Sequence, residues 1–177
     1  MCKFEKIIIG TTLDTSVNLH YIPFVQACFK KYFKYLQDDF STYSAADIKE
    51  FIIDKSPFFW VVLDYEDTFM GFVYLDNFTG GGKVMYSAEL TTCFDKKAWG
   101  SFIRYSAKFF LKKCFDEFGL SKIKAQIYPE NFRVKKLLKD CGFVYESTLK
   151  NETIRLGKLQ DIEVYGLYRN YYYKNER

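Results

Sequence analysis

The sequence predicts a mixed α/β (α+β) domain on one sheet, in the element order β-α-α-β-β-β-α-β-α-β-β. Three features predict it. Apolar residues recur at helical spacing over the first fifty or so positions. The period then shortens to two through three successive runs rich in Val, Phe, Tyr and Met. The second half alternates helical and strand-like stretches. Consecutive strands point to an antiparallel first half, and the strand–helix–strand that follows points to a β-α-β unit. No repeat, Pro-rich linker or low-complexity segment divides the chain, so residues 1–177 are expected to form a single domain.

Phe4 to Ile9 reads as the first strand. Asp14, Thr15 and Ser16 are residues that cap helices, and Ile22, Val25, Phe29, Tyr32 and Phe33 place an apolar stripe on a helix from about Val17 to Lys34. Ser44 caps a second helix, with Ile48, Phe51 and Ile52 as its apolar face. That helix stops before Pro57, because the residue preceding a proline is pushed out of the helical region. Phe58 to Leu63, Phe69 to Asp76 and Val84 to Cys93 are the three strands, the first two joined by Asp64-Tyr65-Glu66-Asp67. Thr79-Gly80-Gly81-Gly82 reads as a hairpin turn and not as a phosphate loop. No helix follows it, and a glycine-rich anion site needs a helix N-terminus to aim its dipole.

The longest helix runs from Ala98 to Phe118, with Ile103, Ala107, Phe110, Leu111, Cys114 and Phe118 on one stripe and Gly119 closing it. Ile123 to Tyr128 is a strand, and Asn131 to Asp140 is a short helix ended by Cys141-Gly142. Phe143 to Leu149 and Asp161 to Tyr168 are the closing strands. The tail Tyr168-Arg169-Asn170-Tyr171-Tyr172-Tyr173-Lys174 is expected to finish the last strand and fray, although its rings are also of the kind that stack on bases.

Composition narrows the function. Hydrophobic residues make up 49% and aromatics 20%, too much for disorder, and no apolar run approaches the ~20 residues that span a bilayer. Met1-Cys2-Lys3-Phe4-Glu5-Lys6 lacks the pattern of a signal peptide, so the expected location is cytoplasmic, with no membrane partner. Five scattered cysteines without C-x-x-C spacing, beside a single histidine, His20, argue against a metal site and against a disulfide framework. Cys28 and Cys114 sit among aromatics and read as small buried hydrophobes. His20 has no recognisable partner motif, which sets aside a Ser-His or Cys-His nucleophilic enzyme. The formal charge of +4 comes from Lys and Arg interleaved with Asp and Glu. That favours solvated faces over a nucleic-acid stripe, yet suits a polyanionic small ligand.

Three segments of the second half carry a resemblance. They are Gly119-Leu120-Ser121-Lys122-Ile123-Lys124-Ala125; Asn131 followed by Lys136-Leu137-Leu138-Lys139-Asp140-Cys141-Gly142-Phe143; and Gly157-Lys158-Leu159-Gln160-Asp161 with Val164-Tyr165-Gly166-Leu167. In order and spacing they resemble the GNAT superfamily of acyl-CoA-dependent N-acyltransferases, and within it the RimJ/RimL-like branch of ribosomal-protein N-terminal acetyltransferases. The resemblance implies the GNAT fold and an acetyltransferase that moves acetyl from acetyl-CoA to a primary amine by direct attack. The acceptor would be a small-molecule or peptide amine, coenzyme A the co-substrate, and a homodimer is left open.

The resemblance also implies a site. The family's diphosphate loop, normally Q/R-x-x-G-x-G/A, matches Asp95-Lys96-Lys97-Ala98-Trp99-Gly100, followed by Ser101. Asp and Ala98 depart from the pattern there, and Gly100 keeps it. Backbone amides at a helix start would hold the anion, and Lys96 and Lys97 would offset the Asp95 carboxylate. Leu90, Thr91 and Thr92 match the strand edge that pairs with pantetheine, where an amide would face the thioester oxygen. Asn131 matches the asparagine that bonds the pantetheine arm, and it is equally an N-cap. Glu89 matches a strand carboxylate that serves many relatives as base, though a strand glutamate also simply faces solvent. The family's helix tyrosine, the usual proton donor to the leaving thiolate, falls on Leu138, so no general acid is assigned; Tyr128 and Tyr145 are the nearby phenols. Tyr21, Phe24, Tyr32, Tyr35 and Tyr43 lie in the acceptor region and read as core packing or as an aromatic cleft wall. The missing tyrosine and irregular loop keep a second reading open: a catalytically weak acyl-CoA sensor or interaction module on the same fold.

Overall fold

The computed structural model describes residues 1–10, 15–81 and 84–175. Seven strands form one sheet in the order β1-β2-β3-β4-β5-β7-β6: β1 (Lys3–Lys6), β2 (Phe59–Leu63), β3 (Phe69–Gly81), β4 (Val84–Phe94), β5 (Lys122–Ile127), β6 (Val144–Arg155) and β7 (Lys158–Tyr168). Every pairing is antiparallel except β4 with β5, which is parallel and joined by a crossover helix. The helices are α1 (Ile22–Leu36), α2 (Ile48–Asp54), α3 (Ser101–Asp116), α4 (Phe132–Asp140) and α5 (Arg169–Asn175).

The middle strands read as unbroken apolar runs because both faces of the sheet are covered. On β2, Trp60 and Val62 enter the core under α3 and α4, while Phe59, Val61 and Leu63 enter the core under α1 and α2. Strand β3 alternates likewise, with Val73 and Leu75 on the α3 side and Phe72 and Tyr74 on the α1 side. Phe51 anchors the α1–α2 core against four rings, those of Phe29, Tyr43, Phe59 and Tyr74. Its truncation to alanine would cost about 3–5 kcal/mol. The same period of two on β4 puts Ala88 and Phe94 with α3 and Cys93 with α1. Leu90 and Thr92 therefore point to the α3–α4 face, and Glu89 and Thr91 to the α1 face.

Several boundaries differ from the sequence expectation, each for a local reason. The first strand is four residues, after which Ile8 makes only an isolated bridge to Val17. Helix α1 begins at Ile22 with Pro23 in its first turn, not at Val17. Ser16 does not cap it, since its hydroxyl accepts the Gly10 amide at 3.0 Å. Asp14 lies outside the described residues. Gly80 pairs with Met85 and Gly81 with Val84, so these glycines belong to the β3–β4 hairpin; Gly82 lies outside the described residues. Ala98 belongs to a separate 3-10 turn, Lys96–Ala98, and α3 starts three residues later than expected. Strands β6 and β7 are longer than expected and meet in a tight turn at Leu156 and Gly157, both at positive φ. The tail does not fray. It forms α5, with Tyr172 buried against Phe115 and its hydroxyl donating to the Lys108 carbonyl at 3.0 Å.

Candidate active site

The sheet comes apart where β4 leaves β5. Only Ser87, Ala88 and Glu89 pair with Lys122, Ile123 and Lys124. From Leu90 to Phe94, β4 keeps its pairing with β3 while nothing on β5 opposes it. The backbone groups of that stretch which point toward β5 therefore have no strand partner. A cleft of ≈ 790 Å³ occupies the gap, walled by Leu90–Phe94 on one side and Ala125–Ile127 on the other. Helix α1 adds Tyr32 and Tyr35, and α4 adds Val134 and Leu138, with its cap Asn131 beside them. Since residues from both faces of the sheet line it, the cleft is a slot through the sheet.

One end of the slot lies by the Asp95–Ser101 loop, with Trp99 in its wall. The Asp95 side chain accepts the Lys97 amide at 3.2 Å and pairs with Lys31 of α1 at 3.2 Å. Burial pushes the Asp95 carboxyl up, but the Lys97 amide and the Lys31 ammonium outweigh it and hold it below the ordinary carboxylate value. Lys31, which no local pattern indicated, leads the charge offset to this carboxylate, and Lys97 adds to it; the Lys96 and Lys97 side chains are exposed. Ala98 and Trp99 spend their amides inside the turn, on the Asp95 carbonyl at 3.0 Å and the Lys96 carbonyl at 3.3 Å. The amides not committed to the turn start at Gly100. Gly100 caps α3 at φ 125°, no side chain caps that helix, and Ser101 opens it. A Cβ added at Gly100 would meet nothing within 4 Å, so the backbone there faces open space. Ala98 is fully buried, so its methyl occupies the core and leaves the outer side of the loop clear. The Arg133 guanidinium lies 5.9 Å over the Trp99 ring, adding a cation to this end.

Glu89 stands at the last paired position of β4, one residue before the slot walls begin. Its Oε2 accepts from Gln126 Nε2 at 3.1 Å and Asn77 Nδ2 at 3.2 Å. Burial pushes this carboxyl above its usual value, reinforced by Asp76 and opposed by the Asn77 and Gln126 amides and by Lys124. Next along the same face, Thr91 lies beside the buried Tyr74 phenol, which burial pushes up to about 12. Asn131 caps α4 by accepting the Val134 amide at 3.5 Å. The two phenols noted from the sequence are engaged elsewhere: Tyr128 donates to the Gln37 carbonyl and Tyr145 bonds Thr148. Neither lines the slot; Tyr32 and Tyr35 do. Tyr21, Phe24 and Tyr43 pack against His20, Phe69 and Phe51.

A strap closes the α1 side. Asp39, in the α1–α2 connection, donates its amide to the Ile154 carbonyl at 2.8 Å and accepts the Leu156 and Gly157 amides at 2.9 and 2.8 Å. Asp38 accepts the Thr153 hydroxyl. Arg155 donates to the Lys34 carbonyl at 2.7 Å, pairs with Glu130 and lies 3.9 Å over the Tyr128 ring. These partners are far apart in sequence and carry no local signature. Among the described residues, no group of three His, Cys, Asp or Glu side chains is placed to hold a metal, and no helix is long and apolar enough to cross a membrane.

A family model described as an acetyltransferase (GNAT) domain matches residues 20–144. Among solved structures, spermidine N-acetyltransferase from Vibrio cholerae, crystallised with CoA and spermine, superposes with a TM-score of 0.77 at 19% identity, covering 97% of this chain and 98% of that one. A point mutant of the Vibrio cholerae enzyme gives 0.76 at 20% identity, over 99% and 98% of the two chains. A GNAT-family acetyltransferase from Bacillus anthracis gives 0.75 at 16%, over 96% and 95%. At these identities the likeness is one of fold. No curated protein matches the sequence.

Proposed function

The chain belongs to the GNAT acetyltransferase family, and from that premise we propose that its slot holds acetyl-CoA and passes the acetyl group to a primary amine. One observation carries this reading: β4 and β5 part to leave an unpaired strand edge, and the gap reaches Trp99, one residue before the Gly100 cap of α3. The residues fit the co-substrate. Open space at Gly100, free amides from Gly100 through the first turn of α3, and the cations Lys96, Lys97 and Arg133 suit a diphosphate. The edge at Leu90, Thr91 and Thr92 suits an extended amide-bearing arm, and Asn131 stands on the opposite wall. Trp99 and Ser101 flank the diphosphate end and Ala98 supports it from the core.

Acetyl-CoA supplies an activated acyl thioester. In the transfer a C–N bond forms, the C–S bond breaks, the amine gives up a proton and the thiolate leaves. Glu89 takes that proton, directly or through water, since an alkylamine is protonated near neutrality and cannot attack until it is freed. An edge amide at Leu90 or Thr91 stabilises the developing oxyanion. The acceptor enters from the α1 face, past Tyr32 and Tyr35, as a small-molecule or peptide amine. Spermidine N-acetyltransferase, whose fold this chain shares, argues for including polyamines among the acceptors. The three segments of the second half argue for the RimJ/RimL-like branch and so for including peptide N-termini. Residues 1–177 act as one domain, and five free cysteines suit a reducing compartment, the cytoplasm.

A second reading rests on Leu138, an apolar side chain on the slot wall where the family motif has its tyrosine: an acyl-CoA-binding module with little turnover. Calorimetry with CoA and acetyl-CoA, and thiol release over a panel of spermidine, amino acids, aminoglycosides and short peptides, separate the two. Binding with release on one amine class supports the transferase, and binding without release on any supports the module. No binding of either CoA or acetyl-CoA removes both.

A further inference from the structure

Behind the slot wall, between α3, α4 and the sheet, lies a cavity of ≈ 40 Å³. A single layer of side chains, Leu90, Thr92, Phe94, Val134 and Leu138, lines both cavity and slot. Its deeper wall is Phe4, Ala107, Phe110, Leu111, Leu137 and Phe143. The Ser106 hydroxyl is already spent on the Ile103 carbonyl at 3.1 Å. Among the described residues the one buried side-chain N or O atom without a hydrogen bond is Arg155 Nε, which is not in this cavity. Water needs two or more polar partners to be held in such a space, so the cavity is dry and suits hydrocarbon.

We infer that this cavity receives the alkyl end of an acyl chain longer than acetyl, so that propionyl- and butyryl-CoA are substrates alongside acetyl-CoA. The inference rests on the acyl-CoA reading of the slot. The thioester edge at Leu90 and Thr92 is the wall the cavity shares. Its volume, at ~10–15 Å³ per atom-sized sphere, takes about three further heavy atoms. Leu138 contributes in the same sense, because a phenol there would set a polar group in the layer between slot and cavity. Transfer is unchanged in its balance: the amine gains the longer acyl group, the C–S bond breaks, and thiol and amide are the products.

The test is calorimetry on the full chain with acetyl-, propionyl-, butyryl- and hexanoyl-CoA, together with kcat/KM for the same series. Affinity is expected to rise about fourfold per methylene up to butyryl, the factor one buried methylene supplies, and to level or fall at hexanoyl. Ala107→Leu, which fills the cavity from α3, should erase the gain while leaving acetyl-CoA affinity within twofold. A flat series with acetyl-CoA still bound, or a gain that persists in Ala107→Leu, overturns the inference and leaves the slot assignment standing. If Ala107→Leu does not fold, the wild-type series decides alone. Failure of acetyl-CoA itself to bind would remove the slot reading and this inference together.

Discussion

Gln126 donates to the Glu89 carboxylate at 3.1 Å, which ties the side chain assigned as base to a residue of the slot wall. Asn77 holds the same oxygen from the β3 side. The carboxylate is thus fixed in the plane where the sheet opens, on the face from which the amine would arrive.

Replacing Glu89 with glutamine should lower kcat by ~10²-fold or more, the contribution of a positioned base. Calorimetric affinity for acetyl-CoA should stay within twofold, because Glu89 is not among the residues lining the slot. An unaltered kcat would take Glu89 out of the chemistry.

The acid limb of kcat/KM follows from the same environment. Only the deprotonated carboxylate can accept a proton, and burial has raised its pKa. Activity should therefore be lost on acidification at a higher pH than an ordinary glutamate would give. Gln126→Leu removes a donor that favours the charged form, so the limb should move to still higher pH. A limb that stays fixed or moves down would contradict this.

Gly100→Val tests the diphosphate end. Its φ of 125° is closed to residues with a Cβ, so the loop must rearrange although the space in front is open. Strain of ~1–3 kcal/mol is expected, read as a lower Tm, with CoA affinity weakened by about tenfold or more. Unaltered CoA affinity in a folded variant would place the diphosphate elsewhere.

Arg155→Met should destabilise the fold by about 1 kcal/mol in urea titration, since it removes the hydrogen bond to the Lys34 carbonyl and the contact with the Tyr128 ring while Glu130 keeps its solvent. The Arg155 side chain is only 12% exposed. The amine KM should rise more than the acetyl-CoA KM, because the strap closes the α1 side.

The Lys122–Glu146–Tyr168 cluster on the α1 side of the sheet gives a pH signature. Burial pushes the Glu146 carboxyl up, but Lys122 and Tyr168 outweigh it, so its folded pKa lies below the unfolded one. The stability it supplies is present above the unfolded value and is lost as pH falls through the folded one. Glu146→Gln should therefore lower Tm near pH 7, and the gap to wild type should close as pH falls below the ordinary glutamate value. A gap that persists at low pH would mean the effect is packing and not charge.

Much of the fold is legible in the chain because its signals are local. Asn131 and Gly142 bracket α4 within a residue or two of its observed ends, and Pro57 and the glycines after Thr79 bound α2 and the β3–β4 hairpin. Strands β6 and β7 read shorter than they are because Lys150–Glu152 is polar and exposed, with no alternation to follow. The tail reads as frayed because its tyrosines gain a core only once α5 lies against Phe115. Of the candidate site, the residues proposed on β4 and at the start of α3 are picked out by local motif. The pairs that organise it are not. Lys31 with Asp95 spans 64 positions and Asp39 with Gly157 spans 118, and neither leaves a periodic trace.

The parting of β4 from β5 also bears on how the protein meets extended chains. An open strand edge is built into the fold, so an extended ligand can pair there without breaking a β4–β5 ladder. The same edge is a template for any extended peptide, including a stretch of another copy. Cellular thioester would then act as a plug as well as a reactant, and preparations stripped of it would be the ones most prone to clump.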